Sequence, residues 1–444
     1  MDARYREGDT IAAESTPPGR GGVSQVRLSG ERAQDIAGAL FDRELPASGE
    51  HRFGRLTDPA DGRLIDEAVV AAFAAGHSYT GESVIELQTH GSPVVVADLL
   101  GCLYRLGARP AAPGEFTYRA FLNGRIDLTQ AEAVADLIAA GSSESAAQAL
   151  RQLSGELRSA VESLEEKVER LLIWAELELD FVEEDVEVAG IEAKLTLASE
   201  AISEASGLLE GYDTARHLRE GLKVVISGPP NVGKSSLFNR LVGEKRAIVH
   251  ASAGTTRDVL RASAYIDGMA FEFFDTAGIR EAPGEVEDEG IRRALEAAQS
   301  ADLVLQVDAP GLTSGIEPPT GSRALIRVMN KIDLALELAW PDGCIPVSAA
   351  TGQGLEELQQ ALYRFAVGDS RGRTALINRE RHYEALRVAI QALERGREGL
   401  KSGLPGEALA EEWREALGAL GDITGRRRVE GLLDTIFGSF CIGK

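Results

Sequence analysis

"KVVISGPPNVGKSSLFNRL", residues Lys223–Leu241, decides how this chain is read. Val224, Val225 and Ile226 form an apolar strand that runs into the turn residues Gly228, Pro229 and Pro230. Gly233, Lys234 and Ser235 follow, and then Leu237, Phe238 and Leu241 recur at helical spacing. Strand, glycine-bounded loop and helix are the context that the pattern G-x-x-x-x-G-K-[ST] requires. In that context backbone N–H groups and the helix N-terminus converge on phosphate oxygens. Lys234 adds a positive charge, and Ser235 offers a hydroxyl to Mg²⁺. The stretch predicts an α/β block with a phosphate cradle at the end of its first strand.

Further motifs follow in order. Asp275, Thr276, Ala277 and Gly278 come directly after the apolar run "MAFEFF". That order suits a carboxylate reaching Mg²⁺ through water and a glycine N–H near the terminal phosphate. Asn330, Lys331, Ile332 and Asp333 follow "ALIRVM". The Asp333 carboxylate matches the N1–H and N2 amino donors of guanine, which adenine lacks, and a site left with an unpaired acceptor rejects the wrong base. Ser348 and Ala349, after "CIPV", complete the base pocket. Together with Asn231, Val232 and Ser236 of the loop, these residues resemble the Ras-like GTPase fold, with GTP as the substrate.

Two departures narrow the mechanism. Ile279 stands where Ras carries its water-orienting Gln, and a hydrocarbon side chain orients no water. No arginine finger is evident, a device worth roughly 10³–10⁵ in rate. Asn231 and the segment "RAIVHASAGTTRD", residues 246–258, resemble the arrangement of potassium-activated GTPases. That resemblance implies that the Asn231 side chain, the carbonyls of His250 and Ser252, and Thr255 ligate K⁺. Ser235 and Thr256 would hold Mg²⁺, and Ala251, Ala253 and Gly254 would line the nucleotide. The plainer alternative for 246–258 is a mobile surface loop.

Composition sets the frame. A chain of 444 residues is long for one domain. The 44% hydrophobic and 26% charged content is that of a soluble globular protein. Acidic residues outnumber basic ones by 70 to 47, a formal charge of −23, which weighs against a stand-alone nucleic-acid binder. Cys102, Cys344 and Cys441 are odd in number and far apart, as in a reducing cytosol, and no apolar run is long enough to span a bilayer. The expected location is cytoplasmic. The six histidines include no helix-spaced pair, which argues against zinc. "VEEDVEV" (Val182–Val188) reads as a solvated acidic face, and Arg426–Arg428 as a surface basic patch or, less favoured, a contact for nucleic-acid phosphate.

Texture divides the chain. Residues 1–118 mix β-rich runs ("VSQVRLSG", "AVVAAF", "SVIELQ") with turns such as "TPPGRGG", as in an α+β domain. Leu153, Leu157, Val161, Leu164, Val168 and Leu171 then mark one helix face. Gly-rich β/α alternation follows Leu222, and Leu386, Ile390 and Leu393 mark a later helix. Helical stretches thus flank the α/β block, which favours its insertion between them.

Over nearly its whole length the chain resembles the tRNA-modification GTPase family MnmE (TrmE). The matching stretches are "DTIAAESTPPGRGGV" (Asp9–Val23), "SYTGESVIELQTHG" (Ser78–Gly91), "PGEFTYRAFLNGRIDLTQAEAVADLI" (Pro113–Ile138), "ELDFVEEDV", "PPNVGKSS", "AGTTRD", "DTAGIRE" and "FCIGK". The resemblance implies an N-terminal tetrahydrofolate-binding α+β domain at 1–118. It also implies a discontinuous helical domain at 119–216 and 373–444, with a Ras-like α/β G domain inserted at 217–372. It implies a homodimer that forms a heterotetramer with an FAD-containing partner, MnmG (GidA). The pair adds an aminomethyl-type group to carbon 5 of the wobble uridine of certain tRNAs, with the carbon drawn from a methylene-tetrahydrofolate, and the bound cofactor is a formyl- or methylene-tetrahydrofolate. GTP hydrolysis would follow K⁺-dependent pairing of G domains. Glu287 would orient the attacking water through further waters; its plainer role is a glutamate complementing a helix N-terminus. Arg27, Glu86, Arg125 and Lys444 would bind folate, whose carboxylates suit cationic side chains and whose pterin edge suits Glu86.

Cys441 lies fourth from the end and imitates a prenylation signal. Gly443 and Lys444 fit that signal poorly, so no membrane anchor is expected. By resemblance, Cys441 is a candidate for chemistry on the one-carbon unit or the uracil; a small thiol in a packed tail is the alternative. An assembly-factor GTPase of the Era/Der type is the rival reading. It would need a KH-type or second G domain, which the first 130 residues do not resemble.

Overall fold

The β-rich runs expected in the N-terminal segment build a six-stranded sheet from β1 (Ile11–Glu14), β2 (Ser24–Ser29), β3 (His51–Thr57), β4 (Leu64–Phe73), β5 (Val84–Thr89) and β6 (Arg109–Pro110). The computed structural model describes residues 8–180, 189–243, 260–275, 301–312, 324–334, 343–367, 375–426, 432–438 and 440–443. They fall into two units, one of Met1–Ala135, Gln152–Ala201 and Gln391–Lys444, the other of Asp136–Arg151 and Ile202–Ile390.

In the first unit the strand order is β3-β4-β5-β2-β1-β6, antiparallel except for the β1/β6 pair. Successive side chains point to opposite faces of a strand. Val26, Leu28, Val70, Ala72, Ile85 and Leu87 therefore share one face, where they pack with Ile36 and Leu40 of α1 (Ala33–Leu40) and Leu99 and Leu103 of α2 (Pro93–Arg105). The same period sends Arg27 and its register partner Glu86 to the opposite face. Ile11, Ala13 and Ala111 cluster there with Phe116 of α3 (Glu115–Leu122).

Helix α3 is held by buried charge. Arg119, 1% exposed at its side chain, meets Glu115 at 3.0 Å and Glu82 at 2.9 Å and also pairs with Asp9. Arg109 bridges Glu115 and Asp9, each at 2.5 Å. Burial disfavours the Arg119 cation, yet these carboxylates raise its pKa overall. Removing one partner from such a cluster costs about 3–5 kcal/mol, because a buried charge is left uncompensated.

The helices that follow are α4 (Leu128–Ala139), α5 (Ser143–Leu153), α6 (Glu156–Asp180), α7 (Ile191–Leu209) and α8 (Tyr212–Glu220). The apolar stripe from Leu153 to Leu171 spans a break. Leu153 ends α5, Gly155 takes the left-handed φ of 91°, and α6 starts anew. From Leu157 to Leu171 the stripe is buried as expected, against the later helix Gly406–Thr424. Full burial of each such side chain contributes about 1.5–3 kcal/mol.

The second unit contains the α/β sheet: β7 (Leu222–Ser227), β8 (Leu260–Ile266), β9 (Met269–Asp275), β10 (Leu303–Asp308), β11 (Leu325–Met329) and β12 (Cys344–Pro346), in the order β12-β11-β10-β7-β9-β8. Only β8 is antiparallel to its neighbour. Helices α9 (Lys234–Gly243) and α10 (Leu355–Val367) contribute Leu237, Phe238, Leu355, Leu358 and Leu362 to its core. The chain leaves β7 with β9 on one side and β10 on the other, so the crevice at the carboxyl end of β7 is a topological switch point, where open α/β sheets bind ligands. Helices α11 (Glu380–Ser402), α12 (Gly406–Thr424) and α13 (Leu432–Gly438) complete the described chain. None of the described helices is long and apolar enough to cross a membrane.

Candidate functional site

The 228–235 loop emerges at that switch point. Gly228 has φ 148°, and a Cβ there would overlap the carbonyl of Val307 on β10. Gly233 has φ 92°, and a Cβ there would overlap the Asn330 side chain. Asn231 is one of few non-glycine residues at positive φ, 63°. The loop thus lies flat against the sheet ends, with Ser235 and Ser236 exposed on the first turn of α9. Lys234 is buried, and its Nζ donates to the carbonyls of Gly228 at 3.0 Å and Pro229 at 2.8 Å. Asp275 ends β9 in register with Ile226 of β7, so its backbone stands at the same end of the sheet.

The Asn330-Lys331-Ile332-Asp333 segment, which follows β11, is tied to this loop. Asn330, 1% exposed, donates Nδ2–H to the Val232 carbonyl at 2.8 Å and accepts the Ala349 N–H at 3.0 Å. Lys331, at φ 62°, donates Nζ–H to the Asn231 carbonyl at 2.6 Å. Asp333 accepts the Ser348 hydroxyl at 2.6 Å, and Ser348 in turn accepts the Thr351 N–H at 3.1 Å. One corner therefore gathers Asn231, Val232, Gly233, Lys234, Asn330, Lys331, Asp333, Ser348 and Ala349. Glycines that admit no Cβ, a helix N-terminus and a fixed carboxylate fit a phosphate chain with a base that donates hydrogen bonds.

A second cluster lies on the face of the N-terminal sheet that carries Arg27, Glu86 and Phe116. Arg27 Nε donates to Glu86 at 2.9 Å, with side chains 14% and 16% exposed. The rings of Tyr79 and Phe116 each lie 5.6 Å from the Arg27 guanidinium carbon, a cation–π spacing. Tyr79 is itself held by a 2.9 Å hydrogen bond to Thr117. Among the described residues no hydrogen bond engages the terminal nitrogens of Arg27, so the clamp offers N–H donors to a planar or anionic group. Arg125 donates to the Gly76 carbonyl at 3.0 Å, on the loop that carries Tyr79. Tyr79 and Phe116 escaped the sequence reading; both stand inside the motifs quoted above, but alternation in β2 says nothing about which rings will cover Arg27.

Phe437 of α13 packs edge-on against Tyr118 at 5.1 Å, and Phe440 lies 5.6 Å from Phe437. The apolar stretch after Gly431 therefore docks against α3 and the start of α4. Cys441 is exposed, and its carbonyl accepts the Gly114 N–H at 3.4 Å. Arg426 pairs with Glu165 at 2.6 Å and Glu162 at 3.1 Å, so its charge is already engaged within the protein. His250 to Thr256, Thr276 to Gly278, Glu287, Lys444, Arg427, Arg428 and Val182–Val188 lie outside the described residues, as does the Asp275 side chain.

A mostly parallel sheet with this loop at its switch point and an Asn-Lys-Ile-Asp base corner, in a chain that also carries a separate α+β sheet and a helical region, defines a multidomain P-loop GTPase. Two family models match in turn: "GTP-binding protein TrmE N-terminus" over residues 10–125 and "MnmE helical domain" over 128–441. A tRNA modification GTPase MnmE from Parvibaculum lavamentivorans is 45% identical over 98% of this chain and 100% of its own. Those from Alkalilimnicola ehrlichii and Pseudomonas aeruginosa are 45% and 44% identical, over 98% of this chain and 99% of theirs. Among solved structures, the G domain of the Thermotoga maritima FeoB iron transporter is 26% identical over 33% of this chain and 98% of that chain, with a TM-score of 0.25. The chain belongs to the MnmE family of tRNA modification GTPases: it is a GTPase that acts in tRNA modification.

Proposed function

We propose that this chain hydrolyses GTP to drive modification of the wobble uridine of tRNA, using a tetrahydrofolate one-carbon unit held on its N-terminal sheet. In this reading residues 1–118 bind folate, 119–216 and 373–444 form the helical domain, and 217–372 form the G domain. The chain works in the cytoplasm as a homodimer, with an MnmG-like flavoprotein carrying FAD. The observation that carries the proposal is the pairing, in one chain, of a guanine-type base corner at Asp333 with an Arg27 clamp whose terminal nitrogens make no hydrogen bond among the described residues.

Each residue's part follows from its chemistry. Backbone N–H groups of Asn231–Ser236 and the α9 N-terminus take up the phosphates, and Lys234 exchanges its loop carbonyls for phosphate oxygens. Asp333, oriented by Ser348, accepts from guanine. Ser235 and Thr256 hold Mg²⁺, while Asn231, His250, Ser252 and Thr255 hold K⁺, which supplies the positive charge that an arginine finger supplies elsewhere. Glu287 orients the attacking water. Arg27 and Arg125 take the anionic and carbonyl groups of formyl- or methylene-tetrahydrofolate, with Lys444 joining them, and Glu86 accepts from the pterin edge. Cys441 is the candidate for covalent chemistry on the one-carbon unit or the uracil.

The test is nucleoside analysis of tRNA from cells lacking this gene. Unmodified wobble uridine should accumulate and disappear on complementation with the intact gene but not with Arg27→Ala. Normal wobble nucleosides in the deletion strain would refute the proposal.

A further inference from the structure

The first turn of α3 touches both the Arg27 clamp and the segment 437–443. Phe116 lies on the Arg27 guanidinium, and Thr117 holds Tyr79, the other ring of the clamp. Two residues before Phe116, Gly114 directs its N–H at the Cys441 carbonyl, 3.4 Å away. A Cβ on Gly114 would stand 2.6 Å from the Phe437 carbonyl oxygen and 3.1 Å from the Phe440 Cβ. Real side chains do not approach a carbonyl oxygen that closely, and the oxygen belongs to backbone that cannot swing aside. On the other side of Cys441, Gly443 is buried at φ 94°, and a Cβ there would overlap the Glu14 carbonyl. Glu14 follows Ala13, the register partner of Arg27. Cys441 thus lies between two close-approach glycines: Gly114, two residues before the ring that covers Arg27, and Gly443, against the residue next in the chain to the strand partner of Arg27.

We propose that Gly114 and Gly443 are positioning residues for the tRNA-modifying reaction: bare backbone at both points lets the 437–443 segment lie against the sheet and holds Cys441 beside the Arg27 clamp. The inference rests on reading the Arg27 face as part of the modification site. Helix α3 is the fixed side of the joint, because Glu115 and Arg119 lock it to Asp9, Arg109 and Glu82. Phe437, Phe440 and Gly443 are held by aromatic contacts and by close backbone approach.

Gly114 also has a left-handed φ of 68°, a conformation glycine serves well by itself. Asparagine tolerates that region but carries a Cβ, so it separates the two roles. The experiment uses full-length Gly114→Ala, Gly114→Asn and Gly443→Ala. Hydrogen exchange of the peptide covering 440–443, GTP turnover, and wobble modification in complemented cells are measured for each. All three variants should exchange those amides about tenfold faster or more. GTP turnover should stay within about twofold of the parent, while modification falls about tenfold or more. Unchanged exchange in the three variants overturns the proposal. So does a Gly114→Asn protein that behaves as the parent, or full modification with a freely exchanging segment. If the Gly114 variants lose GTP turnover through misfolding, Gly443→Ala, which lies beyond every described helix, decides the matter. Failure of the underlying site reading shows separately, as wild-type modification in Arg27→Ala.

Discussion

Asn330 donates its side-chain amide to the carbonyl of Val232 at 2.8 Å and accepts the N–H of Ala349 at 3.0 Å, so one buried side chain joins the phosphate loop to both halves of the base corner. Asn330→Ala removes the partner of a donor and of an acceptor at once, a cost of about 1–3 kcal/mol for each buried group left unpaired. The expected outcome is a loss of affinity, about tenfold or more, for GTP and GDP alike. Competitive titration with a fluorescent guanine nucleotide measures it. A loss confined to the triphosphate would contradict the bridging role.

Asp333 is different, because its effect is on the base. Asp333→Asn replaces an acceptor by a group that also donates, which suits xanthine better than guanine. GTP affinity should fall by about 100-fold or more and XTP affinity should rise. Unchanged GTP binding sinks the assignment of Asp333.

Potassium dependence is a prediction about the loop. GTP turnover should rise about tenfold or more when Na⁺ is replaced by K⁺ at constant ionic strength, and Asn231→Ala should abolish the difference. Equal rates in the two salts would remove K⁺ from the mechanism.

The Arg27 clamp predicts an asymmetric pair of variants. Arg27→Ala should abolish calorimetrically detectable binding of formyl-tetrahydrofolate. Arg27→Lys should stay at least about tenfold weakened, since an ammonium lacks the planar fork that stacks between Tyr79 and Phe116. Full affinity in Arg27→Lys would mean that charge alone matters.

Asp302, at the foot of β10, governs acid stability of the second unit. Burial opposes its ionisation, but hydrogen bonds from His217, the Lys223 N–H and Arg216 overcome this and hold its carboxyl well below the usual range. A depressed folded pKa gives stability that is fully present above the unfolded value of about 3.9 and is lost as pH falls toward the folded one. Asp302→Asn should therefore cost about 2–4 kcal/mol near neutrality, and progressively less as the pH drops below 4. Hydrogen exchange of the β7 and β10 amides across that range is the measurement. A destabilisation that stays constant with pH counts against a charge-based role.

What could be read from the chain depended on distance along it. The phosphate loop and the base motif are contiguous words, and their strand–loop–helix setting is local, so residue spacing alone located both. Arg27 and Glu86 became neighbours through strand register, which alternation places on one face without saying which strands pair. Tyr79 and Phe116 come from a loop and a helix turn outside the sheet, so no periodicity pointed to them. The helix break at Gly155 was hidden because apolar spacings of three and four continue across it. Arg426 reads as part of a basic patch until Glu162 and Glu165, far upstream on α6, claim it.

The pairing of α6 with α12 has a kinetic side. These helices meet only by closing a loop that contains the intervening residues 181–405. Within that loop, the chain entering and leaving the α/β sheet is already pinned together. The Tyr212 ring lies tilted 4.5 Å from that of Tyr383, Arg219 donates to the Asn378 carbonyl at 3.2 Å, and Thr214 donates to the Val367 carbonyl at 3.3 Å. Once the sheet has formed, the effective loop shrinks to the few dozen residues outside those pins, which lowers its closure cost by about 1–2 kcal/mol. We expect the inserted block to fold first and act as a clasp, so that a lesion in β7 or β10 delays the pairing of two helices outside the sheet.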